Sequence, residues 1–222
     1  MVKKVKALVI VAHPDDETIW MGGTILTCND WDWTIICLCR KNDKDRKPKF
    51  MKVCKKLNAD GIIGDLDDGE LNEGELKPLN VDEVSEKIKE LLLDFNFKFD
   101  IIYTHGKNGE YGHIRHKEVH EAVKKLINDN ELKCRKLRFF SYVKGKEIPP
   151  VNPDLNIIIP NSEADESINL SKDIFKRKVE LVKNIYGFDE RGFEVMCCNK
   201  TEAFDIEKIN SFADAKINEG DD

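Results

Sequence analysis

Residues 5–11 are apolar nearly throughout, with little alternation, the pattern of a parallel strand covered on both faces. Comparable runs recur at 33–39, 61–66, 100–104, 137–143 and 155–159, the last closed by Pro160. Between them the apolar positions change to helical spacing. Helices are predicted to open at Thr18 and to span 45–57, with Phe50, Val53, Cys54 and Leu57 inward. A third covers 81–95, a fourth runs from about Arg115 through Val123, Leu126 and Ile127, and a fifth covers 172–186. Strands alternating with helices imply βαβ crossovers, hence an α/β protein whose mainly parallel sheet carries helices on both faces, a three-layer αβα sandwich. Patterning is strong over residues 5–187 and weak over 188–222, and the length of 222 residues suits one domain.

Composition narrows the function classes. A net charge of -6, from 36 basic and 42 acidic residues spread along the chain, argues against a general affinity for nucleic acid or anionic membrane. No run approaches the ~20 apolar residues of a transmembrane helix, and the apolar run after the basic start stops at His13, too short for a signal peptide. Seven cysteines without C-x-x-C spacing read as reduced, mostly buried thiols. A cytoplasmic protein is expected.

The chemistry concentrates in two stretches. The first is Ala12-His13-Pro14-Asp15-Asp16-Glu17, directly after the first strand, where open α/β sheets bind ligands. Four charged or ionisable side chains beside a core call for a cation, and imidazole with carboxylate suits zinc or a similar divalent ion. His13 and Asp16 can supply two ligands. A third ligand and a catalytic imidazole should come from the second stretch, where four of the five histidines (105, 113, 116 and 120) follow the fourth strand. His105 is the weakest candidate. Asp15 is placed to act as general base, and His113, once protonated, to stabilise an oxyanion or protonate a leaving amine. Glu17 suits a helix N-terminus, and Trp20 suits packing.

These residues carry a resemblance. Ala12 to Glu17 after a first strand, Gly22-Gly23 in the next helix, and Gly112-His113-x-x-His116 in mid-chain resemble the LmbE-like (PIG-L) superfamily of zinc-dependent N-acetylglucosaminyl de-N-acetylases. The resemblance implies a Rossmann-like fold, zinc held by His13, Asp16 and His116, Asp15 as general base, His113 as the imidazole stabilising the transition state, and an N-acetylated amino sugar or its conjugate as substrate. Arg40 and Arg115 are substrate-binding candidates. One departure matters: the family's His-Pro-Asp-His reads His113-Ile114-Arg115-His116, so the carboxylate between the histidines is replaced, and Glu110 or Glu118 is the candidate substitute. The alternatives are a carbohydrate-binding or scaffold protein with weakened chemistry, and a metal hydrolase of another amide or ester.

Overall fold

The computed structural model describes residues 3–69, 76–95, 97–145 and 156–209. Five strands form the parallel core of one sheet: β1 (Lys6–Val11), β2 (Asp32–Cys39), β3 (Ala59–Leu66), β4 (Lys98–Thr104) and β5 (Lys133–Phe140). They are joined by α1 (Asp16–Thr27), α2 (Arg46–Lys56), α3 (Val81–Leu91) and α4 (Ile114–Asn128). The strand order is β3-β2-β1-β4-β5, so the chain leaves β1 in one direction and returns to its other side with β4. That reversal opens a crevice at the carboxyl ends of β1 and β4. The two apolar layers follow from the period of two in a strand: Ala7, Val9 and Val11 face one layer of helices, while Leu8, Ile10 and Ala12 face the other. The α/β class and three-layer architecture expected from the pattern are therefore present.

Four details differ from the expected elements. The 81–95 helix ends at Leu91, and Phe95 N–H turns back to the Leu92 carbonyl at 2.8 Å. The 137–143 run is divided between β5 and β6 (Tyr142–Lys144), which pairs with β7 (Ile158–Pro160) in a separate two-stranded ribbon. Ser141 marks the break, its N–H donating to the Ala203 carbonyl. The 172–186 helix is α5 (Lys172–Leu181), continued as a π-helical turn over Val182–Tyr186. Leu155 and Glu70 lie outside the described residues.

The fourth difference concerns the weakly patterned tail, which holds a short helix, α6 (Phe193–Met196), and an internal strand, β9 (Thr201–Glu207). β9 lies antiparallel between β5 and β8 (Glu166–Asn169), extending the sheet to seven strands. Its Glu202 is fully buried and accepts from the N–H groups of Gly23 and Thr24, the Thr24 hydroxyl and the Lys178 ammonium, at 2.6–2.8 Å. Beside it, a Cβ on Gly23 would stand 2.2 Å from Leu170 Cδ1, so the second glycine of the pair in α1 allows close packing of that side chain. The late strand thus anchors the helix whose first turn carries the site. Replacing Glu202 with Ala strands the buried Lys178 charge, so urea unfolding should show a loss of about 3–5 kcal/mol, whereas substituting the exposed Glu163 should change stability by less than about 0.5 kcal/mol.

Candidate metal centre and active site

The loop after β1 presents His13, Pro14 and Asp15, and α1 begins at Asp16. Across the crevice, the loop after β4 runs from His105 to His113, whose imidazole Nδ1 accepts the Arg115 N–H at 3.3 Å and so caps α4. Gly109 makes that loop possible: its φ is +64°, and a Cβ there would stand 2.6 Å from the His113 carbonyl oxygen.

Three acceptor atoms meet between the two loops. His13 Nδ1 lies 3.1 Å from His116 Nε2 and 3.3 Å from Asp16 Oδ2, and His116 Nε2 lies 3.4 Å from the same oxygen. Each imidazole spends its other nitrogen on a carboxylate. His13 Nε2 bonds Asp68 Oδ1 at 2.8 Å, and His116 Nδ1 bonds Glu110 Oε2 at 2.5 Å. In the neutral rings, with each proton on the outer nitrogen, two lone pairs and a carboxylate oxygen point at one another, an arrangement that a cation completes. Four-coordinate ligands at ~2.0–2.2 Å from zinc stand about this far apart, so the donor set fits a divalent metal. Burial opposes charge on His116, yet Asp16 and Glu110 outweigh it and, with no cation present, raise it to about 10. Burial likewise opposes charge on Glu110, but His105 and His116 bring its carboxyl down to about 2.

Asp16 is oriented from two sides. Its Oδ2 accepts the His13 N–H at 2.8 Å, and its Oδ1 accepts the indole N–H of the buried Trp20 at 3.0 Å. Trp20 therefore packs α1, as expected, and holds a candidate ligand as well. Asp15 has φ 127°, an uncommon conformation for a non-glycine residue that costs on the order of 1–3 kcal/mol. Its N–H is held by Glu17 Oε2 at 3.1 Å, and Glu17 in turn accepts from the Tyr186 and Thr18 hydroxyls. Glu17 thus serves the helix start, outside the acceptor cluster; burial raises its carboxyl to about 7. Burial and the charge of Asp16 hold the Asp15 carboxyl well above the ordinary aspartate range, against the pull of Arg46 at 3.1 Å. His113 is pushed the other way, to about 3, by burial and by His116 and His13.

A cavity of ≈ 340 Å³ opens over this cluster, lined by His13, Asp15, Arg40, Arg46, Tyr111 and His113, with Phe193 and Glu194 closing one side. Of the two substrate-binding candidates, Arg40 lines the cavity, and its guanidinium pairs with Asp68 at 2.5 Å. Arg115 does not line it. Its side chain is fully buried away from the cavity, donating to the carbonyls of Asp67 and Lys77 and to Glu118. His105 stands beside the cluster, 3.5 Å from Asp16 Oδ2, with Nε2 accepting the Ala12 N–H and Nδ1 donating to Glu110. His120 donates to the His105 carbonyl and packs on Phe139.

Four contributors were hard to read from the chain. Arg46 sat in an ordinary basic run, and Phe193 and Glu194 lay in the unpatterned tail. Asp68 was visible only as part of an acidic turn. Glu110 was expected as one of two candidate substitutes for the missing carboxylate; it sits inside the glycine-rich loop, where it adopts φ 56°.

Residues 8–127 match the PIG-L family model, described as GlcNAc-PI de-N-acetylase. An uncharacterized protein, L374, of Acanthamoeba polyphaga mimivirus is 29% identical over 142 residues, 57% of this chain and 58% of that one, so the chain spans little more than half of that relative. The crystal structure of the A40926 pseudoaglycone deacetylase Dbv21 shares the fold, with a TM-score of 0.56 and 13% identity over 83% of each chain. The matched segment runs from β1 to α4 and takes in both histidine-bearing loops; by it, the chain belongs to the PIG-L family.

Proposed function

We propose that the protein is a zinc-dependent hydrolase that removes the acetyl group from an N-acetylated amino sugar or its conjugate. The observation that carries this reading is the convergence of His13 Nδ1, Asp16 Oδ2 and His116 Nε2 within 3.1–3.4 Å of one another, beside Asp15 in a cavity of small-molecule size. These three residues would hold the metal, which when bound supplies Lewis acidity and lowers the pKa of a water toward ~7. Asp15 takes the proton from the attacking water and returns it to the leaving amine; its raised affinity for protons suits both steps. His113 contributes as a neutral imidazole. Its Nδ1 is committed as the helix cap, which leaves Nε2–H as the donor for the developing oxyanion. A protonated His113, expected from the sequence, does not suit an environment that lowers its basicity.

Membership of the PIG-L family supports an acetyl amide on an amino sugar. Arg40 and Arg46 on the rim suit hydroxyl or anionic groups of that sugar's conjugate. The reading of a scaffold with weakened chemistry drew on Arg115; Glu110, which bonds His116 Nδ1, favours the catalytic reading instead. Among the described residues no helix is long and apolar enough to cross a membrane. All seven cysteines are unbonded and six are buried, which favours a reducing, cytoplasmic setting.

Purified protein should contain about one zinc and release acetate from at least one member of an N-acetyl sugar panel, with activity lost to a chelator and restored by zinc. Release only from non-sugar amides or esters would move the reading to another hydrolase. Asp15→Ala should lower kcat by about 10²–10⁴-fold while metal analysis still finds zinc; full activity in this variant would remove Asp15 as the base. Glu110→Gln should weaken zinc binding about 10–100-fold, measured by competition with a chromophoric chelator.

A further inference from the structure

We infer that Arg115 is a positioning residue that sets the metal affinity of the site by fixing Asp68 against His13. The inference rests on the metal-binding reading above. Asp68 belongs to no helix or strand: it follows β3 in an irregular loop, yet its carboxylate must stand 2.8 Å from His13 Nε2 to keep Nδ1 bare and turned toward Asp16 and His116. Arg40 holds the far oxygen of that carboxylate, but Arg40 is itself partly exposed on the cavity rim. The main chain needs its own anchor.

Arg115 supplies it from beneath. Its Nε donates to the Asp67 carbonyl at 2.7 Å, and because the peptide is planar, holding that oxygen fixes the plane from which Asp68 departs. Its Nη2 donates to the Lys77 carbonyl at 2.9 Å, tying the segment before α3 to the same point. Its Nη1 donates to Glu118 at 2.6 Å, and the other Glu118 oxygen accepts the Leu79 N–H at 2.7 Å. Three acceptors in one plane need a guanidinium fork, which a lysine cannot imitate. A fully buried charge is tolerated there because Glu118 neutralises it. The same residue lends its backbone N–H to His113 Nδ1, so one position at the start of α4 braces His113 through its main chain and, through its side chain, the loop that orients His13. The basic residue standing between the two histidines therefore has a task directed at the metal through Asp68, and none directed at the substrate.

The test is a double-mutant cycle on zinc affinity, read by competition with a chromophoric chelator, on proteins whose circular dichroism and melting are recorded alongside. Arg115→Met and Asp68→Ala should each weaken zinc about tenfold, and the double variant should bind within about twofold of Asp68→Ala alone, since both act along one path. Arg115→Lys should restore little. Losses that multiply in the double variant, or wild-type affinity in Arg115→Met, would overturn the inference while leaving the metal reading intact; a wild-type protein that binds no zinc overturns both. If Arg115→Met does not fold, Glu118→Gln enters the same cycle, with non-additivity again expected and multiplied losses again fatal. A purely structural Arg115 would lower the melting temperature in both backgrounds and leave the zinc losses multiplicative.

Discussion

Two imidazole nitrogens and a carboxylate oxygen converge within 3.1–3.4 Å of one another at the ends of β1 and β4. Most of the neighbouring polar structure exists to keep them there. Asp68 and Glu110 stand behind His13 and His116 and take the outer ring protons, which fixes both tautomers. Trp20 and the His13 N–H take up the two oxygens of Asp16. Burying such a cluster is unfavourable by itself, and its neutralisation by a cation is what makes the arrangement intelligible.

Topology supplies the crevice and the late chain supplies its stiffness. The return of the chain from β3 to β4 places the two histidine-bearing loops side by side. β9 then enters beyond β5 and, through Glu202, fixes the middle of α1. At the start of α1, the strained backbone of Asp15 is held by Glu17, which Tyr186 of the π-helical turn braces in turn. Strain of this kind persists only where the surroundings over-determine it, and here they do so at the residue proposed to move protons.

Arg115 stands between the two histidines, and its side chain bonds neither ring. His116 is held by Glu110, which reaches it from the glycine-rich loop. The charge at 115 turns away from the cavity and gathers Asp67, Lys77 and Glu118 around it.

The local sequence determined the elements of the parallel core, the class of fold and the residues of the acceptor cluster. Continuous apolar runs specify buried parallel strands, and charges placed at their ends have few structural uses, so His13, Asp15, Asp16, His113 and His116 were legible. Tertiary structure decided what stands behind them; Glu110 was a candidate beforehand, but the sequence did not choose it over Glu118. The partners Asp68, Glu110 and Arg46 lie 55, 6 and 31 residues from the groups they bond, and nothing in a carboxylate or guanidinium announces whether it faces solvent or a ring nitrogen. β9 escaped for a related reason: its strand character comes from pairing with β5 and β8 and from the buried Glu202–Lys178 contact, not from an apolar run. Arg115 shows the limit most sharply. Its neighbours in sequence pointed to the cavity, while its direction was set by two carbonyls and a carboxylate that only the folded chain brings to it.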